Sequence, residues 1–220
     1  MLFMFAIAIV VCNFTWLLLC RKIINMTRMQ VLVIAILHDI IGYAAMRIMA
    51  ILEVGGDLSR AANMRLFGAI FVLPFFYYAS AKFLKQKPSL MLDIAAICTV
   101  IGLIFGRLDC LVGGCCSGFL MPGSETIRWP IREIELIYYA VFMLIYCPRI
   151  LKNKTSGEVY PLFMATYGVL RFLLEWLRIE YTTRFGVFHL AHIWSLLSIG
   201  IGLSVYFELQ AKSQKKKARR

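Results

Sequence analysis

Residues 94–118 read IAAICTVIGLIFGRLDCLVGGCCSG. The first twelve are apolar apart from Thr99, and none carries a charge. An arginine, an aspartate, three cysteines and a set of glycines follow. An apolar run of about 20 residues, wound as helix, matches the hydrocarbon thickness of a bilayer. The stretch therefore begins as a membrane span and ends in residues too polar for lipid contact. Its glycines suit a chain that folds back on itself. Irregular backbone at that depth is tolerated only where protein or a watery cavity surrounds it. The expectation is a re-entrant Gly/Cys-rich loop lining a cavity.

The whole chain agrees with the span. It has 220 residues, 61% of them hydrophobic, and a mean hydropathy of +0.77. A soluble domain of this size needs far more polar surface. Seven segments read as spans: 2–20, 30–52, 66–86, 90–109, 133–148, 159–178 and 187–208. The fold class is an all-α polytopic membrane protein, one bundle over 1–209 with a basic tail at 210–220. Pro88, Pro122, Pro130 and Pro148 fall at or outside span ends, where helix breakers belong. Span one has no basic segment before it and no small-residue cleavage site after it, so it is expected to be a retained helix.

Charge sets the orientation. Bases follow span one (Arg21, Lys22, Arg28), span three (Lys82, Lys85, Lys87) and span five (Arg149, Lys152, Lys154), and the tail reads KSQKKKARR. The alternate connections hold mixed charges: Glu53, Asp57, Arg60 and Arg65; Glu125 and Arg128; Glu180 and Arg184. The positive-inside bias puts the N-terminus outside and the C-terminus in the cytoplasm. The net charge of +12 then sits largely against anionic headgroups. No nucleic-acid partner is implied.

A charge at mid-membrane costs at least ~2.5–3.5 kcal/mol, so it usually faces the bundle interior and has a partner. His38, Asp39, Arg47, Asp93, Arg107, Asp109, Glu133, Glu135, Arg171, Glu175 and Arg178 all fall in or near spans. Span six, VYPLFMATYGVLRFLLEWLR, places Tyr167, Arg171, Glu175 and Arg178 on one helical face. A ladder of Arg171 with Glu175 and Glu175 with Arg178 accounts for one acid and one base. The second arginine is left over. Two arginines and one carboxylate suit an anion such as a phosphate, which the planar guanidinium grips with two parallel bonds. Of the seven cysteines, Cys12, Cys98 and Cys147 lie in apolar runs and read as small core residues. Cys20 closes span one, where palmitoylation is an option. Cys110, Cys115 and Cys116 lack the paired C-x-x-C spacing of a zinc site. Packing in a small-residue loop, a disulfide, and a nucleophilic thiol activated by Arg107 are the three readings of them, in that order. No metal and no cofactor are implied.

These motifs resemble the bacterial prolipoprotein diacylglyceryl transferase family. Gly106-Arg107 and the loop ending at Gly118 are similar to that family's G-R-I-G-N-F-x-N-G-E-x-x-G signature, in the variant that carries G-C-C-x-G, here Gly114 to Gly118. Pro130 and Glu135 match H-P-x-Q-L-Y-E. Tyr167-Gly168, Arg171-Phe172, Glu175 and Arg178 match Y-G-x-x-R-F-x-x-E-x-x-R, and His192 stands where many members have glutamine. The resemblance implies transfer of diacylglyceryl from phosphatidylglycerol, or a related anionic phospholipid, to the thiol of a lipobox cysteine on a prolipoprotein. The reaction forms a thioether, releases glycerol phosphate, and takes place at the outer leaflet of the bacterial plasma membrane. Arg107 and Arg171 would hold the phosphate, Glu175 would orient an arginine, and Tyr167 would supply a hydroxyl to the headgroup. Arg178, Gly113, Gly114, Gly118, Cys110, Cys115, Cys116, Glu135 and His192 would complete the binding site. The chain departs from the family at the H-G-G motif, where MRLFGAIF puts Leu66 or Phe67 in the histidine's place. It also departs in the loop, where Cys110 and Cys115 replace asparagine and glutamate. His38, beside Asp39, is the candidate base, and a buried hydrogen-bonded histidine is the plainer reading of it. Two other functions compete with transfer: a non-catalytic relative that binds anionic lipid for a partner protein, and a small transporter. The scarcity of broken helices disfavours the transporter.

Overall fold

A computed structural model describes residues 2–24, 26–56, 65–152, 154–179, 184–185 and 187–218. The expected loop charges Asp57, Arg60 and Glu180, and the tail residues Arg219 and Arg220, lie outside these. Among the described residues the fold comprises seven α-helices: α1 (Leu2–Leu19), prolonged by a π turn (Cys20–Ile24), α2 (Arg28–Glu53), α3 (Leu66–Phe83), α4 (Pro88–Val112), α5 (Ile131–Leu151), α6 (Val159–Glu175) and α7 (Leu190–Ala218). A two-residue antiparallel pair, Arg184–Phe185 with Phe188–His189, precedes α7.

The protein is an all-α polytopic membrane protein. Among the described residues, six helices are long and apolar enough to cross a bilayer. The remaining one, α6, has 17 residues, or about 25 Å at 1.5 Å per residue, the short end of the spanning range. It is also the most enclosed. Tyr160, Phe163, Met164, Ala165, Tyr167, Arg171, Leu174 and Glu175 are all buried in it. Helix α4 shares that inner position, with Ile94 to Cys98, Val100 and Ile101 buried, and it touches α1, α3, α5 and α6. The interior of the bundle is therefore the α4–α6 pair, and the other helices shield its polar residues from lipid.

Close backbone approach lets α7 cover α6. A Cβ on Gly168 would stand 2.8 Å from the Ser195 carbonyl oxygen, and one on Gly202 would stand 2.5 Å from that of Pro161. Small residues at such crossings replace the hydrophobic drive that lipid cannot supply. At the start of α6 Asp93, fully buried, accepts hydrogen bonds from the backbone N–H groups of Gly157 and Val159, each 2.8 Å. It satisfies donors at the start of α6 from another helix.

Two boundaries differ from expectation. Helix α5 runs past Pro148 to Leu151, because a proline in the last turn forfeits only one ladder bond. Helix α4 runs past the expected end at 109 to Val112, taking up the first half of the stretch expected as a re-entrant loop. Arg107, Asp109 and Cys110 are thus helical, and the chain turns only at Gly113 and Gly114, the latter with φ 67°. The return segment is pinned to the end of α6: Phe119 N–H donates to the Leu177 carbonyl at 2.8 Å, and Gly118 bridges Arg178.

Candidate active site

Arg107 from α4 and Arg171 from α6 meet on one carboxylate, Glu135 of α5. Arg107 Nε pairs with Oε2, and its Nη2 donates to Oε1 at 3.0 Å. Arg171 Nη1 reaches the same Oε1 at 3.5 Å. The second fork nitrogen of Arg171 pairs with Glu175 at 2.7 Å. Glu135 and Glu175 are 0% and 1% exposed. The expected ladder stops there. Glu175 has Arg171 and, at 3.9 Å, His189 as ionic neighbours, not Arg178. Arg178 makes no ion pair among the described residues, and Asp109 lies on the same wall as the three guanidinium groups.

This cluster closes one end of a cavity of about 830 Å3. Arg107, Arg171, Glu175, Arg178, Tyr167, Cys110, Cys115 and Cys116 line it. Tyr167 is packed between the rings of Phe67, Tyr139 and Phe163, and its hydroxyl has no hydrogen-bond partner among the described residues. Further along, the wall turns apolar, with Ala8, Ile9, Met46, Leu73, Leu103 and Phe105. His38 and Asp39 also lie on this cavity, on α2. His38 Nδ1 is 2.5 Å from the Tyr77 hydroxyl, and Asp39 accepts from Asn13 Nδ2 at 2.9 Å. Glu53 and Arg65 stand 2.5 Å apart on the lining, and Trp194 donates to Glu53 at 2.9 Å.

Not every expected residue reaches the cavity. Glu135 is a buried counter-ion of the arginines and does not line it. Gly113 and Gly114 form the turn. Gly118 permits a close crossing: a Cβ there would stand 2.6 Å from that of Trp129 and 3.0 Å from the Leu177 carbonyl oxygen. None of the three glycines lines the cavity, because the helix carries the polar side chains there itself. His192 sits apart as well. Its Nδ1 accepts from the His189 N–H at 3.1 Å, and its ring packs on Phe172, Trp176 and Phe188.

The three outer cysteines are free thiols. Cys110 and Cys116 are 3.8 Å apart at sulfur, and Arg132 Nη1 donates to the carbonyls of Cys110 and Cys115 at 3.1 and 3.2 Å. The hydrogen bond from Cys110, aided by Arg178 and Arg107, pulls the Cys116 thiol well below its ordinary range. Glu53, Arg65, Arg132 and Tyr77 had no signal in the spacing of the sequence, since each acts on a partner from another element.

A family model described as prolipoprotein diacylglyceryl transferase matches residues 2–208. The chain belongs to that family. The phosphatidylglycerol–prolipoprotein diacylglyceryl transferase of Clostridium tetani is 28% identical over 131 residues, 53% of this chain and 52% of that protein. The protein of the same name from Campylobacter hominis is 27% identical over 177 residues, 72% of this chain and 61% of its own length. The chain spans between half and three-fifths of these curated relatives. Within this transferase-family member, Phe67 is buried against Phe71 and Tyr167. Leu66, the other residue that the H-G-G resemblance sets in the histidine's place, is apolar as well and opens α3.

Proposed function

We infer that the protein transfers a diacylglyceryl group from phosphatidylglycerol, or a related anionic phospholipid, to the thiol of a prolipoprotein cysteine. One observation carries this reading: a single cavity joins apolar walls to three arginines, Arg107, Arg171 and Arg178, of which Arg178 makes no ion pair among the described residues. A phospholipid has that division of character. Its acyl chains would lie against Ile9, Leu73 and Leu103, and its phosphate would meet Arg107, Arg171 and Arg178.

In the transfer, the thiol sulfur forms a bond to the terminal glyceryl carbon and the carbon–oxygen bond to phosphate breaks. Negative charge grows on the departing glycerol phosphate. Guanidinium groups already fixed by Glu135 and Glu175 need no reorganisation to receive it, which is the condition for effective electrostatic catalysis. Tyr167 would donate its hydroxyl to the headgroup. The thiol proton needs an acceptor. His38 lines the same cavity, and in the tautomer whose Nδ1–H donates to the Tyr77 hydroxyl its Nε2 is the unprotonated nitrogen that takes that role. On the charge-based orientation the arginine end faces the outer leaflet of the plasma membrane, where lipoprotein precursors arrive.

Purified protein, phosphatidylglycerol vesicles and a lipobox peptide test the reading. The expected products are glycerol phosphate and a peptide heavier by one diacylglyceryl group. His38→Gln should lower the rate by about 10²-fold, the usual contribution of a positioned base. Lipid binding without either product, under conditions where a Clostridium tetani relative turns over, would leave a lipid-binding accessory protein instead.

A further inference from the structure

Cys110 lies in the last turn of α4, while Cys115 and Cys116 arrive on the returning chain. Their sulfur atoms nevertheless all lie within 4.8 Å of one another. The Cys110–Cys116 separation is 3.8 Å. Two thiolates on one tetrahedral zinc, each at about 2.3 Å, also stand about 3.8 Å apart. The spacing C-x4-C-C hides this in the sequence, since it takes the turn at Gly113–Gly114 to bring the three together.

The cluster is held before any ion arrives. Arg132 ties the carbonyls of Cys110 and Cys115 together. Cys116 adopts the left-handed backbone, φ 60°, which a side chain other than glycine's enters only at a cost. The neighbourhood also favours anionic sulfur. Arg107 Nη1 lies 3.9 Å from Cys110 Sγ, and Arg178, bridged to Gly118, has no carboxylate partner among the described residues. All three cysteines line the cavity.

We propose that Cys110, Cys115 and Cys116 bind one thiophilic d10 cation, zinc(II) or copper(I), with a fourth position open to the cavity for an incoming thiol. Three sulfur donors select such ions over magnesium or calcium. Three protein ligands with one vacant position is the arrangement of zinc sites that act on a substrate. The incoming thiol enters as thiolate, its proton passing to His38, which lines the same cavity. That the thiol belongs to a lipoprotein cysteine rests on the transfer reading; the metal site does not. With the ion bound, three thiolates and zinc(II) carry one net negative charge, which Arg178 offsets.

The full-length protein, purified in detergent, reduced, stripped by chelator and kept anaerobic, is titrated with Zn2+ and Cu+ in separate arms against a chromophoric competitor. Co2+ serves as the spectroscopic probe. The expected result is about one ion per chain, a sulfur-to-cobalt charge-transfer band, and loss of both in Cys110→Ser, Cys115→Ser and Cys116→Ser. Cys147→Ser should retain them. Gel-filtration profile and thermal unfolding identify any variant that has simply failed to fold. A small thiol such as N-acetylcysteine should then shift the cobalt band. No saturable uptake by the reduced wild type, or uptake that survives all three serine changes, overturns the site; an unmoved band on adding thiol overturns the open position. These readouts hold whether or not glycerol phosphate is released in the turnover assay.

Discussion

Buried acids occupy both ends of the α4–α6 pair, and the two ends treat them differently. Asp93 has a closed set of donors: two backbone N–H groups at 2.8 Å, which cannot move away. The cavity does not reach it. Glu135 and Glu175 have side-chain donors from three helices, a third arginine without a carboxylate, and a cavity beside them. Both ends bear the cost of removing charge from water. Only one keeps cationic capacity in excess of its internal needs. A buried charge held chiefly by main-chain donors is architecture, whereas a buried cluster left with a spare guanidinium is prepared for an anion.

The largest expected effect comes from breaking the second end at its centre. Glu135→Ala leaves Arg107 and Arg171 without their shared carboxylate, and removing one partner of a buried pair costs about 3–5 kcal/mol. The variant should unfold at lower temperature and release no glycerol phosphate. Wild-type melting would show that the arginines find another counter-ion and that Glu135 is not the keystone. Arg171→Lys is next. It keeps the charge and loses the fork that spans Glu135 and Glu175. Turnover should fall about 10²-fold with the fold retained, since a point charge cannot replace bidentate contact. An unaltered rate removes the phosphate role assigned to this residue.

The first end offers the converse. Asp93→Asn keeps one acceptor for two donors, so one buried N–H goes unmet at about 1–3 kcal/mol. Melting temperature should drop while turnover per folded molecule stays near wild type. A selective loss of turnover would erase the distinction between the ends.

What could be read from the sequence follows the same division. The α6 stripe was visible because helical period alone puts Tyr167, Arg171 and Glu175 on one face. The seven helices were visible because lipid demands long apolar runs. The partner that lets Arg107 sit inside the expected span 90–109 was not. A charged residue after an apolar run looks like a helix end until its counter-ion is known, and Glu135 lies 28 residues away on α5. Nor was the Glu175–Arg178 rung a sound inference. The spacing permits it, but α6 ends at Glu175, and Arg178 pairs by backbone with Gly118 instead. The cysteine cluster was hidden for the same reason, since one member comes from a helix and two from the segment that folds back onto it.

The smallest effect is also the most selective. Tyr167 is 1% exposed, its ring is held on three sides by Phe67, Tyr139 and Phe163, and its hydroxyl has no protein partner among the described residues. Tyr167→Phe keeps the packing and breaks no hydrogen bond within the fold, so the melting temperature should not move. A single neutral hydrogen bond to the lipid headgroup is worth about 0.5–1.5 kcal/mol, so KM for phosphatidylglycerol should rise about two- to tenfold. The split between constants decides what the hydroxyl does. A rise in KM with kcat unchanged places it on the bound lipid in ground state and transition state alike. A fall in kcat with KM unchanged moves it to the charge that develops on the leaving phosphate. If neither constant changes, the hydroxyl has no part in holding the lipid, and Tyr167 belongs with Asp93 among the residues that only build the bundle.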